Sequence, residues 1–354
     1  MHHWCDELEF CILKGCRKVS FIKYFIRSSY LNISKLAECI VTIPIQKSYN
    51  PNLIYDMISI SSLKHLRILF SLFLMPVFFF ALALTPNHSE SRILWVFIAI
   101  HLFLYPSSNG YNSYFDKDEE SIGGLKHPPK VTQDLYWLSL AFFLIAIGIG
   151  ASINFSFAIM LLIYGLVSMA YSHPSIRIKK YPWLSWFIAG LFQGYFTFAM
   201  AYAGLSNLSW DVLYKPHVLI PGLLTSLMLW GNYPLTQVYQ HGEDSRRGDR
   251  TLSLLLGIKG TFLFSALAFM ITGAAFAWYF LDRNQTDILW IYLAAMTPIM
   301  LYFLTWFSFI RLNPTKYANY KWAMGMNYFS ALALNAFFIY YFLENTQILQ
   351  ALGY

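Results

Sequence analysis

The chain has 354 residues, of which 57% are hydrophobic, 19% aromatic and only 12% charged, with a formal net charge of +7. Soluble domains carry about 25% charged residues, so this chain has too little charge to cover a water-facing surface. The high aromatic content also excludes a disordered chain. The composition therefore indicates a polytopic membrane protein.

Long stretches without Asp, Glu, Lys or Arg divide the chain into membrane-spanning segments. Residues 135–171 form one such stretch of 37 residues, and residues 181–210 form another of 30. About 20 apolar residues cross the hydrocarbon core as a helix, and backbone amides in lipid must be satisfied internally, which excludes open strands. The nine predicted helices lie near 63–84, 93–115, 135–152, 155–172, 185–204, 218–240, 261–281, 288–310 and 325–343.

Basic residues are distributed unevenly between the two sets of loops. The loops after the second, fourth, sixth and eighth helices hold 13 Lys and Arg residues, whereas the other loops hold 3. The positive-inside rule therefore predicts a cytoplasmic amino terminus in a multi-pass protein, and the general features suit a bacterial inner (plasma) membrane. This topology explains the positive net charge, so nucleic acid is not an expected partner.

The first 56 residues differ from the rest of the chain. They hold all four cysteines together with several charged residues, and the cysteine spacings match no zinc-finger pattern. We interpret residues 1–56 as a cytoplasmic extension or a mis-assigned start, with an amphipathic helix as one reading of residues 21–33. Residues 57–354 are predicted to form the membrane domain.

Two helix ends carry acidic and amide side chains, and both lie on the predicted cytoplasmic side. At the end of the second helix, Asn112, Asp116 and Glu120 recur at intervals of four, which predicts one polar helical face. The sixth helix repeats this pattern. Its polar residues are Asn232, Thr236, Gln240 and Asp244, with Glu243 beside them.

Oxygen ligands from two such helices suit Mg²⁺, which commonly sits between carboxylates and substrate phosphates. Polar residues are costly to keep in a membrane, so we interpret Asp116 and Asp244 as functional. Asp118 and Glu119 are interpreted as helix caps at the water interface. The predicted metal ligands are Asn112, Asp116, Glu120, Gln240, Glu243 and Asp244.

Basic residues follow the fourth and sixth helices, and two explanations for them remain open. The segment 171–180 reads Tyr-Ser-His-Pro-Ser-Ile-Arg-Ile-Lys-Lys. Its cations satisfy the positive-inside rule, and they also suit a diphosphate leaving group, with Tyr171 as a hydrogen-bond donor. Arg246 and Arg247 are open to the same two interpretations.

These motifs resemble those of the UbiA superfamily of intramembrane prenyltransferases. The segment 112–120 is similar to the family motif N-D-x-x-D-x-x-x-D, and the segment 240–252 to D-x-x-x-D-x-x-x-G followed by Thr or Ser. The Tyr-Ser-x-Pro-x-x-Arg-x-Lys pattern at 171–179 is similar to the loop of members that prenylate quinone precursors or chlorophyll-type acceptors. The resemblance covers about residues 57–345. It implies an all-α fold of nine transmembrane helices bundled around a central cavity that opens to the cytoplasmic side.

The sequence departs from the family pattern at three positions. Ser113 stands where the family usually has Asp, and Glu120 replaces a second Asp. Gln240 occupies the position of the first Asp of the second motif, so the site loses one negative charge. Glu243, on the neighbouring turn, is the residue that would compensate.

The resemblance implies Mg²⁺-dependent transfer of an isoprenyl group from an allylic prenyl diphosphate to a lipophilic acceptor, with an aromatic acceptor favoured. Membrane lipid is the other expected partner. The residues assigned to catalysis are Asp116, Asp244, Tyr171, Arg177 and Lys179. The residues assigned to substrate binding are Asn112, Gln240, Lys126, Arg246, Arg247 and Gln193.

Two other functions remain as alternatives. A polytopic transporter would place ionisable residues near the middle of the membrane, whereas here the acids concentrate at one face. A family member with a non-aromatic acceptor, or one that lost catalysis, is the alternative that Gln240 raises.

Overall fold

Residues 59–346 are described by a computed structural model. The predictions made for residues 1–56, including the cysteines and the amphipathic helix, lie outside this range. Twelve α-helices follow one another in the described range. They are α1 (Ile60–His65), α2 (Met75–Leu84), α3 (Glu90–Asp116), α4 (Asp134–Ile153), α5 (Phe155–Ser172), α6 (Pro182–Ser206), α7 (Pro216–Asn232), α8 (His241–Arg247), α9 (Leu252–Asp282), α10 (Thr286–Leu312), α11 (Pro314–Tyr317) and α12 (Tyr320–Thr346).

Eight segments of the described chain are long and apolar enough to cross a membrane. They contain the helices α3, α4, α5, α6, α7, α9, α10 and α12. A ninth crossing is obtained if the bent pair of residues 60–73 and Met75–Leu84 counts as one span. The predicted all-α polytopic fold is confirmed.

The turn between α4 and α5 lies where the sequence predicted it, at Asn154. The side-chain oxygen of Asn154 accepts a hydrogen bond of 2.7 Å from the backbone N–H of Phe157. This bond satisfies one of the free N–H groups at the start of α5. Two apolar helices therefore follow each other with a single residue between them.

The first predicted span, 63–84, is wrong as a continuous helix. Arg67 adopts a left-handed backbone conformation (φ 46°), a 3₁₀ helix covers Ile68–Phe73, and the two halves meet at 48°. Pro76, in the first turn of α2, has no N–H to donate to the preceding turn. Asn335 of α12 donates a hydrogen bond of 3.2 Å to the carbonyl oxygen of Leu72 beside this break.

The last helix, α12, packs against α2 and thereby closes the bundle. The helix α12 lies along α2 and α10, α9 packs on α7, and α6 contacts both α2 and α7. Aromatic rings fill the contact between α2 and α12, where Phe80 stacks on Phe338 with ring centroids 4.6 Å apart. Many apolar side chains point outward instead, which suits a lipid environment.

Two spans contain a π-helical turn, at Ile98–Leu104 of α3 and Phe192–Phe196 of α6. The two helices meet just after these turns, where the Tyr105 hydroxyl donates to the Thr197 hydroxyl at 3.4 Å. Gln193, assigned to substrate binding from the sequence, lies in the second turn and is half-buried. Such turns widen a helix locally and are frequent at functional sites.

Candidate active site

Polar helix ends enclose a cavity of about 160 Å³ at one end of the bundle. The cavity is formed by the ends of α3 and α5, the turn after α7, α8 and the loop after α5. Seven residues assigned from the sequence line it together: Asn112, Asp116, Tyr171, Lys179, Gln240, Asp244 and Arg247. The two acidic motifs, more than 100 residues apart in sequence, therefore meet at one site.

The first motif ends its helix earlier than predicted. The helix α3 stops at Asp116 because Lys117 adopts a left-handed conformation (φ 50°), and Glu120 lies in a turn beyond it. The prediction that Glu120 shares one helical face with Asn112 and Asp116 is therefore wrong. Asn112 donates a hydrogen bond of 2.7 Å to the hydroxyl of Ser172 at the end of α5.

The second motif is also not one continuous helical face. The helix α7 ends at Asn232, a 3₁₀ helix covers Tyr233–Gln237 with Pro234 in its first turn, and α8 begins after Gln240. Asn232 faces α12, where it donates to the side-chain oxygen of Asn327 at 3.1 Å. The 3₁₀ turn changes the direction of the chain, so that Gln240 and Asp244 still reach the cavity.

Lys179 brings a positive charge to the acid of the first motif. Its ammonium group lies 2.5 Å from Oδ1 of Asp116, and the two side chains are 8% and 4% exposed. Arg177, two residues earlier, has a left-handed backbone (φ 46°) and approaches the same oxygen at 3.6 Å. The loop after α5 thus covers Asp116 with two cations.

Arg247 connects the two motifs through its guanidinium group. It forms an ion pair with Asp118 of the first motif and another of 3.2 Å with Asp244 of the second. It also donates to the backbone carbonyl of Asp116 at 3.3 Å. Burial lowers the pKa of Arg247, but the hydrogen bond to Asp118 and the charges of Asp118, Asp116 and Asp244 together outweigh burial and raise the pKa.

Asp244 is a buried carboxyl group with a raised pKa. Burial raises the pKa of Asp244 to about 6, even though the charges of Arg247 and Lys179 act in the opposite direction. Its second oxygen accepts a hydrogen bond of 3.4 Å from the hydroxyl of Thr251, which begins α9. Asp244 therefore holds a proton more readily than a carboxyl group in water.

Asp249 lies behind these cations and was not identified from the sequence. Both of its oxygens accept hydrogen bonds of 2.8 Å from Arg177. Burial alone would raise the pKa of Asp249, but the hydrogen bond from Arg177 and the charge of Lys179 lower it. Asp249 is therefore an ionised carboxylate under the cavity wall.

Two tyrosines lie side by side on the wall of the cavity. The hydroxyl groups of Tyr171, from α5, and Tyr233, from the turn after α7, are hydrogen-bonded to each other. Both side chains line the cavity. Tyr171 was assigned from the sequence, whereas Tyr233 was not.

Six assigned residues do not line this cavity. Arg177 lies behind Lys179, and Gln193 lies in α6. Glu243 is buried in α8, where it accepts a hydrogen bond of 2.7 Å from the backbone N–H of Glu119. Glu120 and Arg246 form an ion pair whose side chains are about half exposed. Lys126 and Glu120 border a second, more open cavity.

Several residues that line the cavity were not assigned a function from the sequence, among them Arg67, Asp118, Gln237 and Tyr239. Asp118, interpreted as a surface cap, is instead buried against Arg247, so that interpretation is wrong. Arg67 donates to the carbonyl groups of Gly123 and Asn109 at 3.1 and 3.3 Å. The sequence signal that would have identified Arg67 is its charge inside the predicted span 63–84, and it was not used.

The acidic groups fit Mg²⁺ only when a substrate completes the coordination. Within residues 59–346, no group of three or more His, Cys, Asp or Glu side chains is arranged to hold a metal ion by itself. Asp116 and Asp244 nevertheless reach one cavity from different elements, with the amides of Asn112 and Gln240 beside them. Mg²⁺ keeps waters and is commonly bound by one or two carboxylates plus substrate phosphates, which this donor set allows.

Together, the fold and site define a multi-pass helical membrane protein with two acidic motifs at one end of its bundle. The model of the UbiA prenyltransferase family matches residues 73–329. The chain belongs to this family. Comparison with curated protein sequences found no significant match.

Solved structures of family members share this fold. A UbiA homologue from Archaeoglobus fulgidus bound to dimethylallyl diphosphate (DMAPP) and Mg²⁺ is 18% identical with a TM-score of 0.57, covering 81% of this chain and 99% of its own. The same homologue bound to geranyl diphosphate (GPP) and Mg²⁺ gives a TM-score of 0.55 at 18% identity and the same coverage. A digeranylgeranylglyceryl phosphate synthase is also 18% identical, with a TM-score of 0.50, over 81% of this chain and 98% of its own.

Proposed function

We propose that the protein is a Mg²⁺-dependent prenyltransferase that moves an isoprenyl group from an allylic prenyl diphosphate to a lipophilic, aromatic acceptor. The observation that carries the proposal is the meeting of Asp116 and Asp244 in one cavity with Lys179 and Arg247. Family membership supports it, as does the binding of GPP, DMAPP and Mg²⁺ by the archaeal homologue.

The buried ion pairs supply a binding site for a polyanion. Lys179 and Arg247 each contact a carboxylate of the site, so an incoming diphosphate can take over these cations as its own partners. Mg²⁺ held by Asp116 and Asp244, with Asn112 and Gln240 as amide ligands, would neutralise charge that builds up on the leaving group. Fixed cations and hydrogen-bond donors around that charge lower the barrier further.

The bond changes of the proposed reaction are simple. The allylic C–O bond breaks, and its electron pair leaves with the diphosphate. A new bond forms between the allylic carbon and the acceptor, which loses a proton. Tyr171, which lines the cavity, would donate a hydrogen bond to the leaving diphosphate.

The positions of the basic loops support a cytoplasmic site. The cavity lies at the end of the bundle that carries the loops after α3 and α5 together with α8, which are rich in Lys and Arg. By the positive-inside rule this end faces the cytoplasm, where a soluble prenyl diphosphate is available.

The test is to replace the acid of each motif separately. Asp116→Asn and Asp244→Asn are each expected to lower kcat for prenyl transfer by about a thousandfold, because each removes a charge that holds the metal–diphosphate group. Turnover is measured with purified protein, Mg²⁺, radiolabelled GPP and the aromatic acceptor that supports transfer by the wild-type protein. Asp282→Asn, which removes an aspartate paired with Arg283 at the end of α9, is the matched control.

Wild-type turnover in either acid variant contradicts the assignment. Two measurements on the unmodified protein separate the alternatives. A transporter would show no Mg²⁺-dependent binding of the diphosphate. A scaffold without catalysis would bind it but release no inorganic diphosphate with any aromatic acceptor.

A further inference from the structure

Asp249 is a fully buried carboxylate that lies outside the lining of the cavity. Its side chain is 0% exposed. It follows Gly248, whose left-handed backbone (φ 76°) ends α8, and its N–H donates to the carbonyl of Asp244 at 2.9 Å. The end of α8 therefore turns Asp249 back beneath the acid of the second motif.

The contact between Asp249 and Arg177 is bidentate. Nε and Nη2 of the guanidinium group donate to the two carboxylate oxygens, each at 2.8 Å. A planar pair of this kind fixes the orientation of both groups, in addition to being stronger than a neutral hydrogen bond. The loop after α5 is thereby fastened to the end of α8.

Two more cations converge on the same carboxylate. The ammonium group of Lys179 lies 3.3 Å from Oδ2 of Asp249, and Nε of Arg247 lies 3.6 Å from it. Lys179 and Arg247 also contact Asp116 and Asp244, respectively, at the cavity. Three cations would repel one another in this buried space without a carboxylate behind them.

We propose that Asp249 is a positioning residue for the diphosphate site: it holds Arg177, Lys179 and Arg247 against the back of the cavity, so that Lys179 and Arg247 meet the diphosphate without rearrangement. This inference rests on the proposed function. Asp249 does not touch the substrate in this arrangement, and it acts through the cations that do. A carboxylate that only joined two loops would leave the affinity for the diphosphate unchanged in any variant that stays folded.

The test measures binding of Mg²⁺–pyrophosphate to the purified protein by titration calorimetry. Asp249→Asn is expected to raise the Kd by about a hundredfold, since removing one partner of a buried charge pair costs a few kcal/mol. Asp249→Glu keeps the charge and is expected to recover most of the loss. Asp282→Asn, the matched aspartate at the other end of α9, is expected to leave the Kd unchanged.

A double-variant cycle shows whether Asp249 acts through the cations. In a protein that already carries Arg177→Gln and Lys179→Gln, Asp249→Asn is expected to change the Kd by less than about threefold. The melting temperature of each variant is measured alongside, and Asp249→Ser, which also removes the charge, is measured if Asp249→Asn does not fold.

Each outcome has a separate meaning. A Kd for Asp249→Asn equal to that of wild type, a loss of affinity in Asp249→Glu as large as that in Asp249→Asn, or an undiminished effect in the double-variant background overturns the role of Asp249 and leaves the proposed function intact. Failure of the wild-type protein to bind Mg²⁺–pyrophosphate overturns the proposed function itself.

Discussion

At the residue scale, buried ion pairs compensate the charges of the side chains that form the site. Asp116 faces Lys179, and Asp244 faces Arg247, with all four side chains largely buried. Burying a charge is costly unless a partner compensates it, so these internal pairs keep the ligand-free cavity stable. In a metal-bound diphosphate, the Mg²⁺ can replace the cations as the partner of Asp116 and Asp244. The diphosphate can replace the carboxylates as the partner of Lys179 and Arg247.

The raised pKa of Asp244 predicts a pH dependence of metal binding. With a pKa of about 6, Asp244 carries a proton at pH 5 that must leave before Mg²⁺ binds. We expect the affinity for Mg²⁺ to fall by about tenfold per pH unit below pH 6, whereas an ordinary aspartate would show this only below about pH 4. Calorimetric titration between pH 5 and pH 8 measures it, and Asp244→Asn removes this dependence.

The raised pKa of Asp244 also makes the stability of the folded protein depend on pH. Because the folded protein binds the proton of Asp244 more tightly than the unfolded chain, this group stabilises the fold most at low pH. Its contribution is lost as the pH rises through about 6. Metal affinity that stays constant from pH 5 to pH 8 would contradict the raised pKa.

At the scale of the elements, helix ends determine which side chains reach the cavity. Lys117 ends α3 before Glu120, and Pro234 lies in the first turn of the 3₁₀ helix after α7. Gly248 ends α8 and directs Asp249 inward. Each end is produced by a local backbone conformation rather than by the four-residue spacing of polar residues.

Gly248→Ala tests the importance of such an end. The left-handed conformation of Gly248 costs a residue with a Cβ atom about 1–2 kcal/mol, although the space around it is open. We expect a lower melting temperature in detergent and weaker binding of Mg²⁺–pyrophosphate. Gly273→Ala, in the middle of α9 with equally open space and a helical backbone, is expected to change neither. Equal behaviour of the two variants would contradict this account.

At the scale of the whole molecule, the ring of spans brings the two acidic motifs together. The helices α2 and α12 close the bundle, and α6 joins both halves through α2 and α7. Residues at opposite ends of the spans must then face opposite sides of the membrane. The distribution of Lys and Arg predicts that the cavity end faces the cytoplasm.

Cysteine labelling tests this orientation. All four native cysteines lie within residues 1–56, so a variant without them provides a background for single replacements. We expect Ser175→Cys, in the exposed loop beside the cavity, to react with an impermeant maleimide only from the cytoplasmic side. Ser209→Cys, in the exposed loop after α6, is expected to react only from the outside. The reverse pattern would place the cavity on the outer face.

The sequence determined the class of fold and the acidic and amide side chains of the two motifs that line the site. Apolar stretches located most spans to within a few residues, because the membrane sets the length of each helix. The exceptions are the broken first span, the early end of α7 and the early start of α9. The spacing of polar residues identified Asn112, Asp116, Gln240 and Asp244, which all line the cavity.

The tertiary structure alone decided which charges become partners. Arg177 and Asp249 are 72 residues apart, and Arg247 and Asp118 are 129 apart, so no local pattern connects them. The burial of Asp118 and the exposure of Glu120 follow from the turn after α3 and from the packing of α8 against it. Spans are specified by local hydrophobicity, whereas ion pairs depend on how distant segments meet.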